Sequence, residues 1–389
     1  MKRINPIYGM NFTYSVNYYY AFLTILCTFF IFLFLNQFFS GYIVSPGLYQ
    51  SDTSSHISSL LNGEYYSFFH SFLFNIGELA YFYPNKYVFY GVLHSIFLTL
   101  FTVGTILLVR LYFGKKSFFY DSLSISLLFV SMIIFNPYAN SVYIGSGTGN
   151  IWHNGTYIAT KLFSLLGFIF FVKSYMNFIQ NKQWIWFSVA YFLTMTISVW
   201  IKPVFVISFY PTILMLLTFF LVKKRVGLKY YLSVGGLSLL SLMPLYWVSG
   251  VVYSSAVGDS IRLVLGELWY TNTDSILMSI LTALAFPIFV YTTQFFRLSF
   301  ASQLSLINLV VAINFYFFVV EEGSRFYDGN FAWPFVFSIF LSFLTTAKDF
   351  FLEKRQHKIL YPLACILFLI HFLSGIVYFV RIFIGHSYL

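Results

Sequence analysis

The chain has 389 residues, of which 59% are hydrophobic and only 9% are charged, and its formal net charge is +10 at pH 7. A composition this apolar excludes an ordinary soluble protein. Apolar runs recur along the whole sequence, and each is long enough to cross about 30 Å of hydrocarbon as a helix. The sequence therefore predicts an all-α, polytopic integral membrane protein, with residues 1–389 in a single membrane domain.

The apolar segments predict about eleven transmembrane helices. The first follows Lys2 and Arg3 and is too long for the apolar core of a cleavable signal, so we interpret it as a retained span. The loops between the spans are short on one side and longer on the other. The predicted spans cover residues 18–39, 87–111, 120–136, 157–176, 184–201, 204–222, 229–249, 276–296, 303–320, 333–347 and 359–382.

Basic residues concentrate in the loops on one side of this topology. Three of these loops, 114–116, 223–225 and 348–358, are short and rich in lysine and arginine. Such a bias sets the orientation of membrane proteins and places the basic loops in the cytoplasm. We therefore expect a multi-pass protein of the plasma membrane with a cytoplasmic N-terminus. The positive net charge then reflects topology and gives no indication of a nucleic-acid partner.

The first outer loop, about residues 40–86, is the longest. We expect short helices on the membrane surface there, one containing Asp52 and His56 and a second, aromatic one over about 65–81. Because Asp52 and His56 are four residues apart, a helix would place them on one face. A carboxylate beside an imidazole could act as a general base, or the pair could bind a divalent ion such as Mg²⁺ or Mn²⁺. Asp52 could equally be only a helix N-cap.

The second outer loop, about residues 136–156, ends with His153 and Asn154. Lys161 follows on the outer side of the next span, where a lysine runs against the charge bias and needs a partner. A lipid-linked phosphate is one such partner, and snorkelling to the headgroups is the alternative. The glycine-rich run 145–149 lacks the lysine of a phosphate-binding loop, so we expect a flexible loop.

Further outer-side charges complete the set of candidate substrate-binding residues. Lys202 and Arg262 could contribute to a site for a phosphate or diphosphate, or each could be an ordinary surface charge. A mixed patch contains Glu322, Arg325 and Asp328, and it could bind sugar hydroxyls or form an ion-paired lid. No residues are assigned as metal ligands: His94, His371, Cys27 and Cys365 all lie inside predicted spans, where we expect packed histidines and no disulfide.

The order of segments resembles that of the GT-C superfamily of integral membrane glycosyltransferases. One span is followed by a large outer loop with an acid near the membrane, and then by many spans joined by short inner loops. Asp52 and His56, within the segment 51–56, carry the resemblance. It implies a GT-C-like fold and sugar transfer from a polyprenyl-phosphate carrier. No second acid stands beside Asp52, and we expect no soluble C-terminal domain of the kind that some members have. The size and aromatic content are also similar to polymerases that join lipid-linked oligosaccharide repeat units.

The resulting hypothesis is an enzyme that transfers a sugar or oligosaccharide from a polyprenyl-linked donor to a saccharide acceptor in cell-envelope polysaccharide assembly. Asp52 would remove the acceptor proton, and His56 would orient Asp52 or share a metal. The outer cations would offset the charge of the leaving phosphate. The alternatives are a repeat-unit polymerase of capsule or O-antigen type and, in a different class, a flippase or transporter of lipid-linked saccharides.

Overall fold

Helices make up nearly all of the described part of the chain in the computed structural model. It describes residues 16–43, 52–62, 72–73, 75–76, 85–115, 117–133, 147–246, 260–323, 326, 329–352 and 360–384. The elements are α1 (Val16–Ile43), α2 (Thr53–Leu61), α3 (Lys86–Phe113), α4 (Phe118–Phe129), α5 (Gly155–Ile179), α6 (Ile185–Ile201), α7 (Val204–Val222), α8 (Leu228–Leu240), β1 (Ile261–Leu263), α9 (Glu267–Tyr270), α10 (Ile276–Gln294), α11 (Phe300–Phe318), β2 (Val319–Glu321), α12 (Trp333–Leu352) and α13 (Leu360–Phe383).

Eight of the described helices are long and apolar enough to cross a membrane: α1, α3, α5, α7, α10, α11, α12 and α13. This confirms a polytopic, helical membrane protein. Three further predicted spans correspond to shorter helices, since α4, α6 and α8 have 12, 17 and 13 residues. The predicted surface helix that contains His56 is α2, whereas the second one, over 65–81, lies largely outside the described residues.

Polar and small side chains lie at the contacts between helices. This is expected in a membrane, because lipid tails are as apolar as the side chains and the hydrophobic effect therefore does not drive helices together. The hydroxyl groups of Ser164 on α5 and Ser198 on α6 lie 2.7 Å apart. Gly91 on α3 lies directly under the ring of Phe38 on α1, where a Cβ would come within 2.1 Å of that ring. Helix α12 is central, and its first fifteen residues, 333–347, are all buried.

Helix α4 ends well before the end of the predicted span 120–136. The chain leaves the helix at Phe129 and continues in an extended conformation. The side-chain amide of Asn150 donates hydrogen bonds to the carbonyls of Leu127 and Val130, at 2.9 and 2.8 Å. Because carbonyls at a helix end inside a bilayer need donors from the protein, Asn150 stabilises a break in this membrane segment.

His371 on α13 joins this break to a second one in α10. Residue Leu284 has non-helical dihedral angles, so α10 is kinked there. The Phe286 backbone N–H donates to Nε2 of His371 at 3.4 Å, and Nδ1 then carries the proton that is donated to the Ser131 carbonyl at 2.7 Å. The prediction that His371 is a packed, hydrogen-bonded histidine is confirmed, since its side chain is buried.

A two-stranded antiparallel ribbon lies at the end of the bundle where α12 begins. Strand β1 pairs with β2, and Arg262 lies opposite Val320. The starts of α5, α7 and α12 also meet at this end, because the Thr160 hydroxyl on α5 donates to the carbonyl of Lys202 just before α7, and the Lys202 ammonium lies over the ring of Trp333 at the start of α12. We call it the Asp52 end, because Asp52 and its partner Asn154 lie there.

Candidate functional site

Asp52 is held from two directions by the segment that precedes α5. Its backbone N–H donates to the carbonyl of His153 at 3.0 Å, and its carboxylate accepts a hydrogen bond from Nδ2 of Asn154 at 2.5 Å. Asp52 also begins α2, since its carbonyl accepts from the His56 N–H at 2.9 Å. The half-buried carboxylate is therefore fixed by residues about a hundred positions away in the chain, and α2 is fixed with it.

Asn154 has its orientation set by helix α5, of which it is the N-cap. Its Oδ1 accepts from the backbone N–H of Tyr157 at 2.7 Å and from the hydroxyl of Thr156 at 2.9 Å. Because a backbone N–H can only donate, the oxygen of the amide must point to the helix. The Nδ2 group then points to Asp52, so the cap of one helix orients the carboxylate of another segment.

His56 and His153 are both kept neutral at the Asp52 end. Burial, and to a lesser extent the positive charge of Lys202, lowers the pKa of His56 to about 4 and that of His153 to about 3. At neutral pH these imidazoles are uncharged groups that can accept or donate hydrogen bonds. The positive charge near them is therefore that of Lys202.

Lys202 follows α6 and lies over the indole of Trp333, the first residue of α12. Its Nζ is 3.7 Å from the ring centroid, which is a close cation–π contact. Its backbone is held by Ser198, whose carbonyl accepts from the Lys202 N–H at 3.0 Å, and by the Thr160 hydroxyl, which donates to the Lys202 carbonyl at 3.1 Å. The predicted candidates Asp52, His56, His153, Asn154 and Lys202 thus form one group at this end of the bundle.

His94 is a neighbour of this group that the sequence did not identify. The side chain is buried on α3, and a Cβ at Gly155 would lie 2.8 Å from its Nε2 atom. His94 also interacts electrostatically with His56. The one sequence signal was Gly155 directly after the cap residue Asn154, because only glycine leaves room there for an imidazole ring.

Lys161 is buried and contacts the loop before α5. Its ammonium donates to the Gly149 carbonyl at 2.8 Å and to Oδ1 of Asn150, and it lies 4.0 Å from the ring centroid of Phe340. These contacts account for a buried lysine on this side, and phosphate binding by Lys161 stays a prediction. A Cβ at Gly149 would lie 2.8 Å from the Phe340 backbone nitrogen, so the described and buried residues 147–150 of this loop pack against α12. The flexibility of the loop stays a prediction.

Arg262 and Glu322 belong to an ion-paired cluster on the β1–β2 ribbon. Arg262 contacts Glu267 at 2.6 Å and Glu322 at 3.1 Å, and all three side chains are more than 40% exposed. Ion pairs this exposed contribute little to the stability of a fold. The other two candidates of this patch, Arg325 and Asp328, lie outside the described residues.

The group around Asp52 contains a positioned carboxylate, two neutral imidazoles, an amide and one ammonium. A carboxylate held in this way can accept a proton from a hydroxyl, and the ammonium can offset negative charge close by. Within the described ranges, no three His, Cys, Asp or Glu side chains are grouped so that they could hold a metal ion. No protein-family model, curated protein or solved structure matches this chain.

Proposed function

We propose that this protein is a membrane glycosyltransferase that moves a sugar or oligosaccharide from a polyprenyl-phosphate-linked donor to an acceptor hydroxyl in cell-envelope polysaccharide assembly. The observation that supports it is the fixed position of Asp52, whose carboxylate is bound by the cap residue Asn154. A general base has to be held within hydrogen-bond reach of the hydroxyl it deprotonates, and Asp52 has its orientation set before any substrate arrives.

In the proposed step, Asp52 takes the proton of the acceptor hydroxyl as that oxygen forms a bond to the anomeric carbon. The bond between this carbon and the phosphate oxygen of the carrier breaks, and the lipid phosphate leaves with the electron pair. Lys202 lies near enough to His56 and His153 to lower their pKa, so its charge can stabilise a leaving phosphate in the same place. The neutral imidazoles supply hydrogen bonds to sugar hydroxyls.

The test is Asp52→Asn, which keeps the size of the side chain and an oxygen that accepts from Asn154. We expect loss of product with unchanged membrane insertion, measured as polymer and lipid-linked intermediates in a deletion strain that expresses each variant. Asp274→Asn, at an exposed acid, is the matched control and should restore wild-type product. Wild-type polymer from the Asp52→Asn strain would refute the role of Asp52.

A flippase or transporter is the second candidate, because the broken helix α4 places Asn150 and buried Lys161 inside the bundle. Interrupted helices with polar groups between their parts are typical of transporter binding sites. The deletion strain separates the candidates by the intermediate that accumulates. A transferase defect gives incomplete lipid-linked units, a polymerase defect gives single complete units outside, and a flippase defect leaves complete units on the inner face.

A further inference from the structure

A groove with apolar walls lies between α7 and α11, at the opposite end of α7 from Lys202. It has a volume of about 430 Å³ and is lined by Met215, Leu216, Phe219, Phe220, Arg225, Phe300, Gln303, Leu304 and Ile307. Phe220 and Leu304 are buried and form its floor, whereas Met215 and Phe219 are about half exposed on its wall. Among these nine residues one is a cation and none is an acid.

The groove opens at the level where lipid headgroups are expected. Helix α7 has 19 residues and is therefore about 28 Å long, close to the thickness of the hydrocarbon layer. Arg225 comes three residues after the end of α7, which places its guanidinium beyond the hydrocarbon. Met215 and Ile307 lie about two turns or more further in, so the groove runs from the headgroup level into the membrane.

Basic side chains are held at the mouth of this groove. The Arg225 N–H donates to the Phe220 carbonyl at 2.8 Å, and the guanidinium lies 6.0 Å from the Phe220 ring centroid. The ammonium of Lys223 lies 5.9 Å from the ring centroid of Phe219. Both cations are therefore placed over rings that line the groove, and the neighbouring side chain of Gln303 adds a polar group.

We propose that this groove binds one anionic phospholipid. Its phosphate would contact Arg225 and Lys223, and one acyl chain would lie along Met215, Leu304 and Ile307. The apolar walls match an acyl chain, and the paired cations at headgroup level match a negative phosphate, as in basic pockets between membrane helices. This inference is independent of the chemistry proposed at Asp52.

The experiment is native mass spectrometry of the purified full-length protein with phosphatidylglycerol or phosphatidylcholine added in detergent. We expect preferential binding of phosphatidylglycerol, and Arg225→Gln should weaken it about fivefold, the effect of about one basic contact. Lys224→Gln makes the same change of net charge at a residue outside the groove lining and should change binding less than about twofold.

Ile307→Trp fills the groove without changing charge and should also weaken binding, which keeps the proposal testable if Arg225→Gln fails to fold. Inorganic phosphate should not displace the lipid, because it lacks the acyl chain. Equal loss for Arg225→Gln and Lys224→Gln would indicate diffuse attraction and overturn the site. Equal binding of both lipids, full binding to Ile307→Trp, or displacement by inorganic phosphate would overturn it as well.

Discussion

Replacement of Asn154 separates two roles of one side chain. Its Oδ1 caps α5 through the Tyr157 N–H, and its Nδ2 donates to the Asp52 carboxylate. Serine is a good N-cap, but its one hydroxyl lies closer to the backbone than Nδ2 does, so Asn154→Ser keeps the cap and loses the contact with Asp52. Leucine loses both contacts. The two variants therefore differ in the cap and agree in the loss of the carboxylate contact.

The structure gives different magnitudes for stability and for activity. Because Asp52 is half-buried and water can replace the lost donor, Asn154→Ser should cost about 1.5 kcal/mol of unfolding free energy, the lower end for a hydrogen bond to a charged group. Asn154→Leu should cost about 2.5 kcal/mol, since the cap adds about 1 kcal/mol. Both should lower the rate of sugar transfer about a hundredfold, the effect of a misplaced reacting group.

The measurements are thermal unfolding of each purified variant in detergent and the rate of product formation by membranes with equal amounts of protein. We expect equal losses of rate from the two variants although their stabilities are unequal. A wild-type rate for Asn154→Ser would mean that the Asn154–Asp52 bond does not orient a reacting group. A rate that only follows stability across the two variants would lead to the same conclusion.

Three further predictions concern the fold. The pKa of His56 is lowered to about 4 from 6.5. The unfolded chain therefore takes up a proton on His56 before the folded protein does, and the protein loses stability as the pH falls from 6.5 towards 4. His56→Gln should flatten the fall of the unfolding midpoint between pH 7 and 4.5. Lys161→Met removes the ammonium donor of the buried Asn150 Oδ1, whereas the Gly149 carbonyl keeps the Tyr157 hydroxyl as a donor at 2.9 Å. The variant should lower the unfolding free energy by about 2 kcal/mol, whereas exposed Lys182→Met should have little effect in the same thermal assay. Gly375→Ala would put a Cβ 1.3 Å from the Phe129 carbonyl oxygen and should abolish folded protein on size-exclusion chromatography, whereas Gly235→Ala, with open space around it, should not.

The sequence was sufficient for the helical membrane class, because the length and apolarity of the segments determine it. It was not sufficient for the end of α4. Residues 130–134 continue the apolar run without proline or glycine, so a longer helix was expected. The break depends on the Asn150 amide, which binds the carbonyls of Leu127 and Val130, and on Gly375, which leaves room for the Phe129 carbonyl. These are contacts between distant parts of the chain.

The candidate site was likewise predictable from the sequence only in part. Residue type and topology identified Asp52, His56, His153, Asn154 and Lys202 as unusual polar residues on one side of the membrane, and the structure places them together. The pairing of particular atoms was not predictable. A carboxylate and an amide about a hundred residues apart meet only when α2 is docked against the start of α5, which depends on tertiary packing.

The cavities of the bundle favour the enzyme over the flippase. The cavity next to Lys161, at the break in α4, has a volume of about 20 Å³, which is room for one water, whereas ligand pockets have about 300–1,000 Å³. A larger space in the described chain, about 680 Å³ between α7 and α8, is lined almost entirely by apolar side chains and would leave sugar hydroxyls unpaired. Next to this break, His371 holds the kinked α10 and the segment after α4 together through the Phe286 N–H and the Ser131 carbonyl. Asp52, by contrast, is only partly buried and lies at the end of the bundle, away from this break.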